Sequence, residues 1–317
     1  MSKAIGGYFE LELPDFPEYY PGAVRLNSGR NALEYILLAH SFKKIYIPYF
    51  TCDVLLEPIE RVGIPYEFYR INASLEPLFD YENIASDEAF LYTNYFGIKD
   101  KFIENLSFSI SNLIIDNAQS FYSQPLKTAG TFYSPRKFFG LPDGSYVYCS
   151  KTFSGTLHTD KSSVQRTGHL MTRLAFDAEE GYMQFTDSDS QMINQPLLKM
   201  SALTNRLLRS INYNKAKDAR LRNFAYLSEA LDSDNLLRIE KPDDQVPMVY
   251  PFWAKDTALR SKLLEKRVFV ARYWPNVMQW TEPQSIEYQL AEQIIPLPVD
   301  QRYSIYDMAE ILKIIKH

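Results

Sequence analysis

The sequence has little cysteine. Its 317 residues contain only Cys52 and Cys149, and both lie in apolar stretches. Small secreted proteins that are held together by disulfides carry more cysteine than this, so we expect two reduced thiols in a cytoplasmic protein. The sequence also permits one disulfide between them.

Three other features are scarce, and each excludes a class of protein. No apolar run approaches the ~20 residues of a membrane-spanning helix, and residues 1–8 lack the basic and apolar segments of a signal peptide. The formal net charge is only −5, with no basic block, which gives nucleic-acid binding little support. The four histidines do not have metal-ligand spacing. We therefore expect no membrane, nucleic-acid or metal partner.

Apolar residues are plentiful, at 46% of the chain, with 15% aromatic residues, and they can fill a large core. Up to about residue 150, short apolar runs alternate with helical patterns, which indicates βαβ units and a mostly parallel sheet. The later part mixes long helices with a few strands. We predict an α/β protein with a large domain at 1–205 and a smaller α+β domain at 206–317.

The periodicity also predicts individual elements. We expect strands at 5–13, 44–50, 65–71, 89–97, 113–116, 146–149, 246–253 and 268–273. We expect helices after Ser28 and at 55–62, 169–176, 201–211, 215–231, 257–265 and 303–315, with an exposed loop at 151–166 and a polar acidic segment at 177–190.

Two residues in this pattern suggest a cofactor. Asp116 ends a buried strand, and Lys137 follows the next short strand in a turn bounded by Pro and Gly. An enzyme that uses pyridoxal phosphate (PLP) needs such a pair, because the lysine forms a Schiff base and the aspartate keeps the pyridine nitrogen protonated. Taken singly, Asp116 would be a capping carboxylate and Lys137 a solvated surface lysine. Their joint presence favours the functional interpretation.

A phosphate could bind at the start of the first helix. Ser28 and Gly29 precede a helical pattern, and free N–H groups at a helix N-terminus suit an anion. An ordinary capped helix explains the same residues, and short glycine motifs are weak evidence by themselves.

Several segments, in the same order, resemble the DegT/StrS-type nucleotide-sugar aminotransferases, a branch of the fold-type I PLP enzymes. The matching segments are 27–33, 47–51, 94–97, 116–119, Lys137 with 143–144, and 296–308. The resemblance implies the fold-type I PLP-transferase architecture, the cofactor pyridoxal 5′-phosphate, and an active site at a homodimer interface.

The resemblance also implies roles for individual residues. Lys137 would be the Schiff-base lysine, and Asp116 would contact the pyridine nitrogen. Gln119 would contact the phenolic oxygen or the ring face. Gly29 and Arg30, at the helix that Ser28 begins, would hold the phosphate.

The chain departs from the family pattern at several of these positions. Ser134 lies three residues before the lysine, whereas the family serine lies five before it, where this chain has Phe132. Cys52 stands where an aromatic residue often stacks on the cofactor ring, so either Tyr49 or Phe50 would take that role or the ring would be held less tightly. Arg136 replaces a small residue and could pair with the phosphate.

The activity that the resemblance implies is transfer of an amino group, with glutamate as the expected donor, to a keto sugar nucleotide in surface-polysaccharide or related sugar biosynthesis. Lys137 would act as general base and acid. Some relatives carry His at this position and catalyse dehydration, so Lys favours aminotransfer. Two alternatives stay open: a PLP-binding protein that is catalytically silent or regulatory, and an α/β binding protein without PLP.

Overall fold

The computed structural model describes residues 5–239 and 245–316. Its helices are α1 (Gly29–His40), α2 (Leu56–Val62), α3 (Asp100–Ser109), α4 (Gly168–Ala175), α5 (Tyr182–Ser190), α6 (Ala202–Leu208), α7 (Tyr213–Leu231), α8 (Leu259–Glu265), α9 (Val277–Trp280), α10 (Ile286–Gln293) and α11 (Ile305–Lys316). Its strands are β1 (Val24–Leu26), β2 (Lys44–Pro48), β3 (Tyr66–Ile71), β4 (Pro77–Leu78), β5 (Glu88–Thr93), β6 (Leu113–Asn117), β7 (Gly130–Tyr133), β8 (Ser145–Cys149), β9 (Val249–Trp253) and β10 (Ile294–Pro298).

The central sheet has eight strands in the order β1-β8-β7-β6-β5-β2-β3-β4. The five strands β7, β6, β5, β2 and β3 run parallel, and β8, β1 and β4 add antiparallel pairings at the two sides. This arrangement confirms the predicted α/β class with a mostly parallel sheet. The strand order reverses between β5 and β2, and ligands of open parallel sheets bind beyond the carboxyl ends of strands at such a reversal.

The parallel strands are apolar on both faces because both faces are covered. Along β6, Ile114 joins the core that packs under α1, whereas Leu113 and Ile115 join the larger core on the opposite face. Continuous burial explains why these strands have no polar alternation. The prediction that 113–116 forms a buried strand is confirmed.

Helix α1 begins as the sequence predicts. The Ser28 hydroxyl accepts a hydrogen bond from the Asn31 N–H at 3.2 Å and caps the first turn. The helix then lies against β7 so closely that a Cβ atom added to Gly130 would be 2.7 Å from Ile36 Cδ1. This contact places the N-terminus of α1 beside the end of β7.

The C-terminal part has its own antiparallel pair, β9 and β10. A separate apolar core fills the space between this pair and helices α7, α8 and α11, with Phe224, Leu263 and Met308 among its members. The division at 205/206 itself stays a prediction.

Some predicted elements are wrong. Residues 5–13 bend at Gly6 and Gly7, which have positive φ, and form no strand, and 268–273 is also not a strand. The segment 177–190 contains α5, and the loop 151–166 buries Asp160, Ser163 and Arg166. Alternating side chains alone do not make a strand, because a strand also needs a neighbouring edge to bond with.

Within the described residues, no helix combines the length and apolar character needed to cross a membrane.

The contact between α1 and β7 predicts a specific stability effect. Gly130→Ala should lower the free energy of unfolding by about 1–3 kcal/mol, because the new methyl group overlaps Ile36. Combining it with Ile36→Val, which removes the nearest atom, should destabilise less than the sum of the two single changes. Urea unfolding of the four proteins measures this coupling.

Gly140→Ala is the matched control, because its added Cβ would lie 3.5 Å from the nearest side-chain atom, an ordinary contact. It should change the unfolding free energy by less than about 0.5 kcal/mol. Equal effects at the two glycines would contradict the packing described for α1.

Candidate active site

The two residues of the predicted pair lie on neighbouring strands at one edge of the sheet. Asp116 is near the carboxyl end of β6, opposite Thr93 of β5 and Phe132 of β7. Lys137 ends a 3₁₀ turn, Pro135–Lys137, directly after β7. Since β6 and β7 are parallel, their carboxyl ends bring the acid and the lysine to the same edge.

Asp116 is buried, with only 6% of its surface exposed. Its Oδ1 atom accepts a hydrogen bond from the Ala118 N–H at 2.8 Å. Burial raises the pKa of the Asp116 carboxyl, and the positive charge of Lys137 lowers it. The Lys137 ammonium is therefore close enough to act on the Asp116 charge, although the two form no ion pair among the described residues.

Lys137 also faces Cys52, which follows β2. Burial raises the pKa of the Cys52 thiol, and the charge of Lys137 lowers it. The Lys137 residue itself is exposed. The Lys137 charge therefore acts on both a buried carboxylate and a partly buried thiol. Both cysteines are free thiols in the described chain.

Aromatic side chains pack against the loop that follows β2 and carries Cys52. The fully buried Phe50 ring lies 4.8 Å from Trp274 and 5.4 Å from Tyr95, measured between ring centroids. Asn276 donates a hydrogen bond to the Thr51 carbonyl at 2.9 Å. The C-terminal part of the chain is therefore attached to the loop that carries Cys52.

The side-chain amide of Gln119 is hydrogen-bonded through its oxygen but not through its nitrogen. Its Oε1 accepts a hydrogen bond from the Phe96 N–H at 2.7 Å. Its Nε2 is buried and has no hydrogen-bond partner among the described residues. A buried amide donor without a partner is uncommon and is consistent with a missing ligand.

A second group of residues forms an anion cradle, which we define as Ser28, Gly29, Arg30, Ser134 and Arg136. A Cβ atom built on Gly29 would lie 3.8 Å from Ser134 Cβ, so the start of α1 and the lysine turn are in contact. Gly29 and Arg30 form the first turn of α1, where backbone N–H groups are free to bind an anion.

The two arginines of the cradle have unused donors. In the part of the chain that the structure describes, Arg30 Nη1 and Arg136 Nε are buried without a partner. Burial lowers the pKa of Arg136, Asp189 and Asp143 raise it, and the charge of Arg30 lowers it slightly. Their carboxylate contacts are long, at 3.7 Å from Arg30 to Glu57 and 3.4 Å from Arg136 to Asp189. Two neighbouring cations with spare donors suit a multiply charged anion such as phosphate.

Sequence analysis missed several residues that surround this site. His169 is buried beside Arg136, whose charge lowers the pKa of the imidazole in addition to the effect of burial. Arg220 contacts the backbone just after Lys137. These residues come from distant parts of the chain and carry no local motif. Phe132 is fully buried in the α1-side core, so the family serine position contributes no hydroxyl here.

The sequence matches no protein-family model and no curated protein. The fold, however, matches many solved structures. A DegT DnrJ EryC1 StrS aminotransferase from Brucella abortus aligns with a TM-score of 0.59 at 14% identity, over 93% of this chain and 85% of that chain. The sugar aminotransferase CalS13 from Micromonospora echinospora aligns with a TM-score of 0.60 at 16% identity, over 93% and 86%.

A third structure, E. coli GDP-4-keto-6-deoxy-D-mannose-3-dehydratase with bound hydrated PLP, aligns with a TM-score of 0.59 at 14% identity, over 92% of this chain and 87% of that chain. The chain therefore has the fold shared by these proteins, and the predicted fold-type I architecture is confirmed. Identities this low establish the fold alone.

The effect of the Lys137 charge on Cys52 predicts that removing this charge changes the reactivity of the Cys52 thiol. Lys137→Met should slow alkylation of Cys52 by iodoacetamide, because loss of the nearby charge raises the thiol pKa and reduces the thiolate fraction. We expect a decrease of roughly two- to fivefold at pH 8, with no change at Cys149. Mass spectrometry of the two labelled peptides gives both rates.

Lys151→Met is the matched control, because the Lys151 charge lowers the pKa of Cys149 instead. It should slow labelling of Cys149 and leave Cys52 unchanged. An unchanged Cys52 rate in Lys137→Met would show that the lysine does not face this thiol.

Proposed function

We propose that the protein is a PLP-dependent aminotransferase that transfers an amino group from glutamate to a keto sugar nucleotide. The observation that carries the proposal is the arrangement at the sheet edge: Lys137 and Asp116 follow neighbouring parallel strands, next to an anion cradle with unused arginine donors. An amine, a carboxylate and a phosphate site in one place are the three contacts that PLP requires.

The described residues fit this cofactor. The phosphate would bind the α1 N–H groups after Ser28 and the side chains of Arg30, Ser134 and Arg136. The ring would lie beside Asp116, Gln119, Phe50 and Cys52. The unpartnered donors of Arg30, Arg136 and Gln119 would each gain an acceptor, which removes the penalty of leaving them buried and unpaired.

Bound PLP would supply an electron-withdrawing ring that stabilises negative charge on the substrate carbon next to the amino nitrogen. Asp116 would keep the pyridine nitrogen protonated. Burial penalises the ionised Asp116 carboxylate, and a proton on an adjacent ring nitrogen offsets this penalty, so each charge favours the other.

Lys137 would act as the proton carrier. Its Nζ atom would take the proton from the α-carbon of the amino donor and deliver it to a second carbon on the same face. Relatives with His at this position catalyse dehydration instead of aminotransfer. The presence of Lys137 therefore supports aminotransfer.

The substrate class rests on the neighbours. Two of them are named sugar aminotransferase or DegT-type aminotransferase, and the third acts on a GDP-linked keto sugar by its name. We extend this to a role in surface-polysaccharide or related sugar biosynthesis, in the cytoplasm, by a homodimer with domains at 1–205 and 206–317. A PLP-binding but catalytically silent protein is the alternative, supported by the replacement of the stacking aromatic with Cys52.

Cofactor loading tests the proposal. The purified protein should bind PLP with the visible absorbance band of a lysine-bound cofactor, and Lys137→Ala should lose this band. Arg136→Met should weaken PLP binding by roughly tenfold or more but leave pyridoxal, which has no phosphate, unaffected. Absorbance titrations with both compounds separate these effects.

Arg173→Met, an exposed arginine on α4, is the control and should bind both compounds as the unaltered protein does. Bleaching of the visible band by glutamate, and its return with a keto sugar nucleotide, would distinguish an enzyme from a silent binder. Absence of any PLP-dependent band in the unaltered protein would overturn the proposal.

A further inference from the structure

A buried arginine of α7 lies directly behind the lysine turn. Arg220 is 1% exposed. Among the described residues it forms no ion pair, although Asp300 is near enough to raise its pKa, and burial lowers that pKa to about 10. Burying a guanidinium without a paired carboxylate is expensive, so its neighbours indicate why it is retained.

The donors of Arg220 go to backbone carbonyls from two parts of the chain. Its Nη2 donates to the Phe138 carbonyl at 3.3 Å, and its guanidinium lies 4.4 Å from the centroid of the Phe138 ring. Its Nη1 donates to the Met248 carbonyl at 2.9 Å. Phe138 is the residue immediately after Lys137, so Arg220 joins the lysine turn to the chain that enters β9.

Gln301 completes this contact. Its Nε2 donates to the same Phe138 carbonyl at 2.8 Å, and its Oε1 accepts from Arg220 Nε at 3.1 Å. Within the turn, the Lys137 N–H donates a hydrogen bond to the Ser134 carbonyl at 3.1 Å. The backbone on both sides of Lys137 is thereby fixed.

The same arginine reaches the Gln119 side of the site. The Met248 N–H donates to the Phe96 carbonyl at 2.8 Å, and the Phe96 N–H donates to Gln119 at 2.7 Å. Arg220 therefore connects, through short backbone hydrogen bonds, the turn that carries Lys137 and the turn that fixes Gln119.

We propose that Arg220 is a positioning residue: together with Gln301 it binds the Phe138 carbonyl and so holds the turn that carries Lys137 from behind. The proposal rests on the proposed function only for the role of Lys137. The charged groups beside Arg220 are Asp300 and Arg302.

The test uses the full-length protein without cofactor. Alkylation of Cys52 by iodoacetamide reports the position of Lys137, because the Lys137 charge lowers the pKa of this thiol. Arg220→Met should slow Cys52 alkylation by roughly twofold or more, but should have no further effect in the Lys137→Met protein, where the lysine charge is already absent. Arg222→Met, an exposed arginine on the same helix, is the matched control and should change nothing.

Hydrogen exchange reports the positioning directly. Amide exchange in the peptide around 135–139 should increase about tenfold or more in Arg220→Met, because the Phe138 carbonyl loses its arginine donor. Gln301→Leu should also increase exchange there, and it is used in place of Arg220→Met if that variant does not fold. Unchanged Cys52 alkylation and unchanged exchange in Arg220→Met, or unchanged exchange in Gln301→Leu, would overturn the proposal.

Failure of the proposed function gives a different result. A protein that binds no PLP would refute the aminotransferase, while the labelling and exchange measurements would still decide whether Arg220 positions Lys137.

Discussion

The site depends on opposite charges that meet where parallel strands end. A parallel sheet points the carboxyl ends of β6 and β7 to one edge, and this geometry alone brings Asp116 and Lys137 together. The charge of the exposed Lys137 reduces the penalty that burial imposes on the Asp116 carboxylate without removing it. The protein therefore holds a carboxylate at this edge at the expense of stability, which is common for groups that serve a ligand.

The anion cradle likewise contains buried charges that lack close partners, but here the charges are positive. Arg30 and Arg136 repel each other, and each has only a long contact with a carboxylate. A phosphate would remove the repulsion and satisfy the buried donors at once. The tight packing of α1 on β7 keeps the helix N-terminus beside Ser134, so the cradle and the lysine turn form one unit.

Part of this arrangement could be predicted from the sequence, because the signals are local. The β6 strand is a short continuous apolar run, and the Ser28 cap precedes a regular helical pattern. Asp116 and Lys137 could be proposed since each follows such a strand. The predicted strand at 5–13 was wrong because its alternation has no neighbouring edge to pair with in the described chain.

The support around Lys137 could not be predicted, since it comes from distant residues without a motif. Arg220 and Gln301 reach the Phe138 carbonyl from sequence separations of 82 and 163 residues. Nothing in their local sequence distinguishes them from exposed polar residues of a helix and a loop. The replacement of the family serine by Phe132 could be read from the sequence, and so could a phosphate-binding hypothesis for Arg30 and Arg136, but the unused donors of these two arginines required coordinates.

Chemical trapping tests the central claim most directly. The protein is incubated with PLP, reduced with borohydride and digested, and mass spectrometry identifies the lysine that carries the cofactor. The account predicts a single modified peptide with the label on Lys137. A label on another lysine, or no label at all, would contradict it.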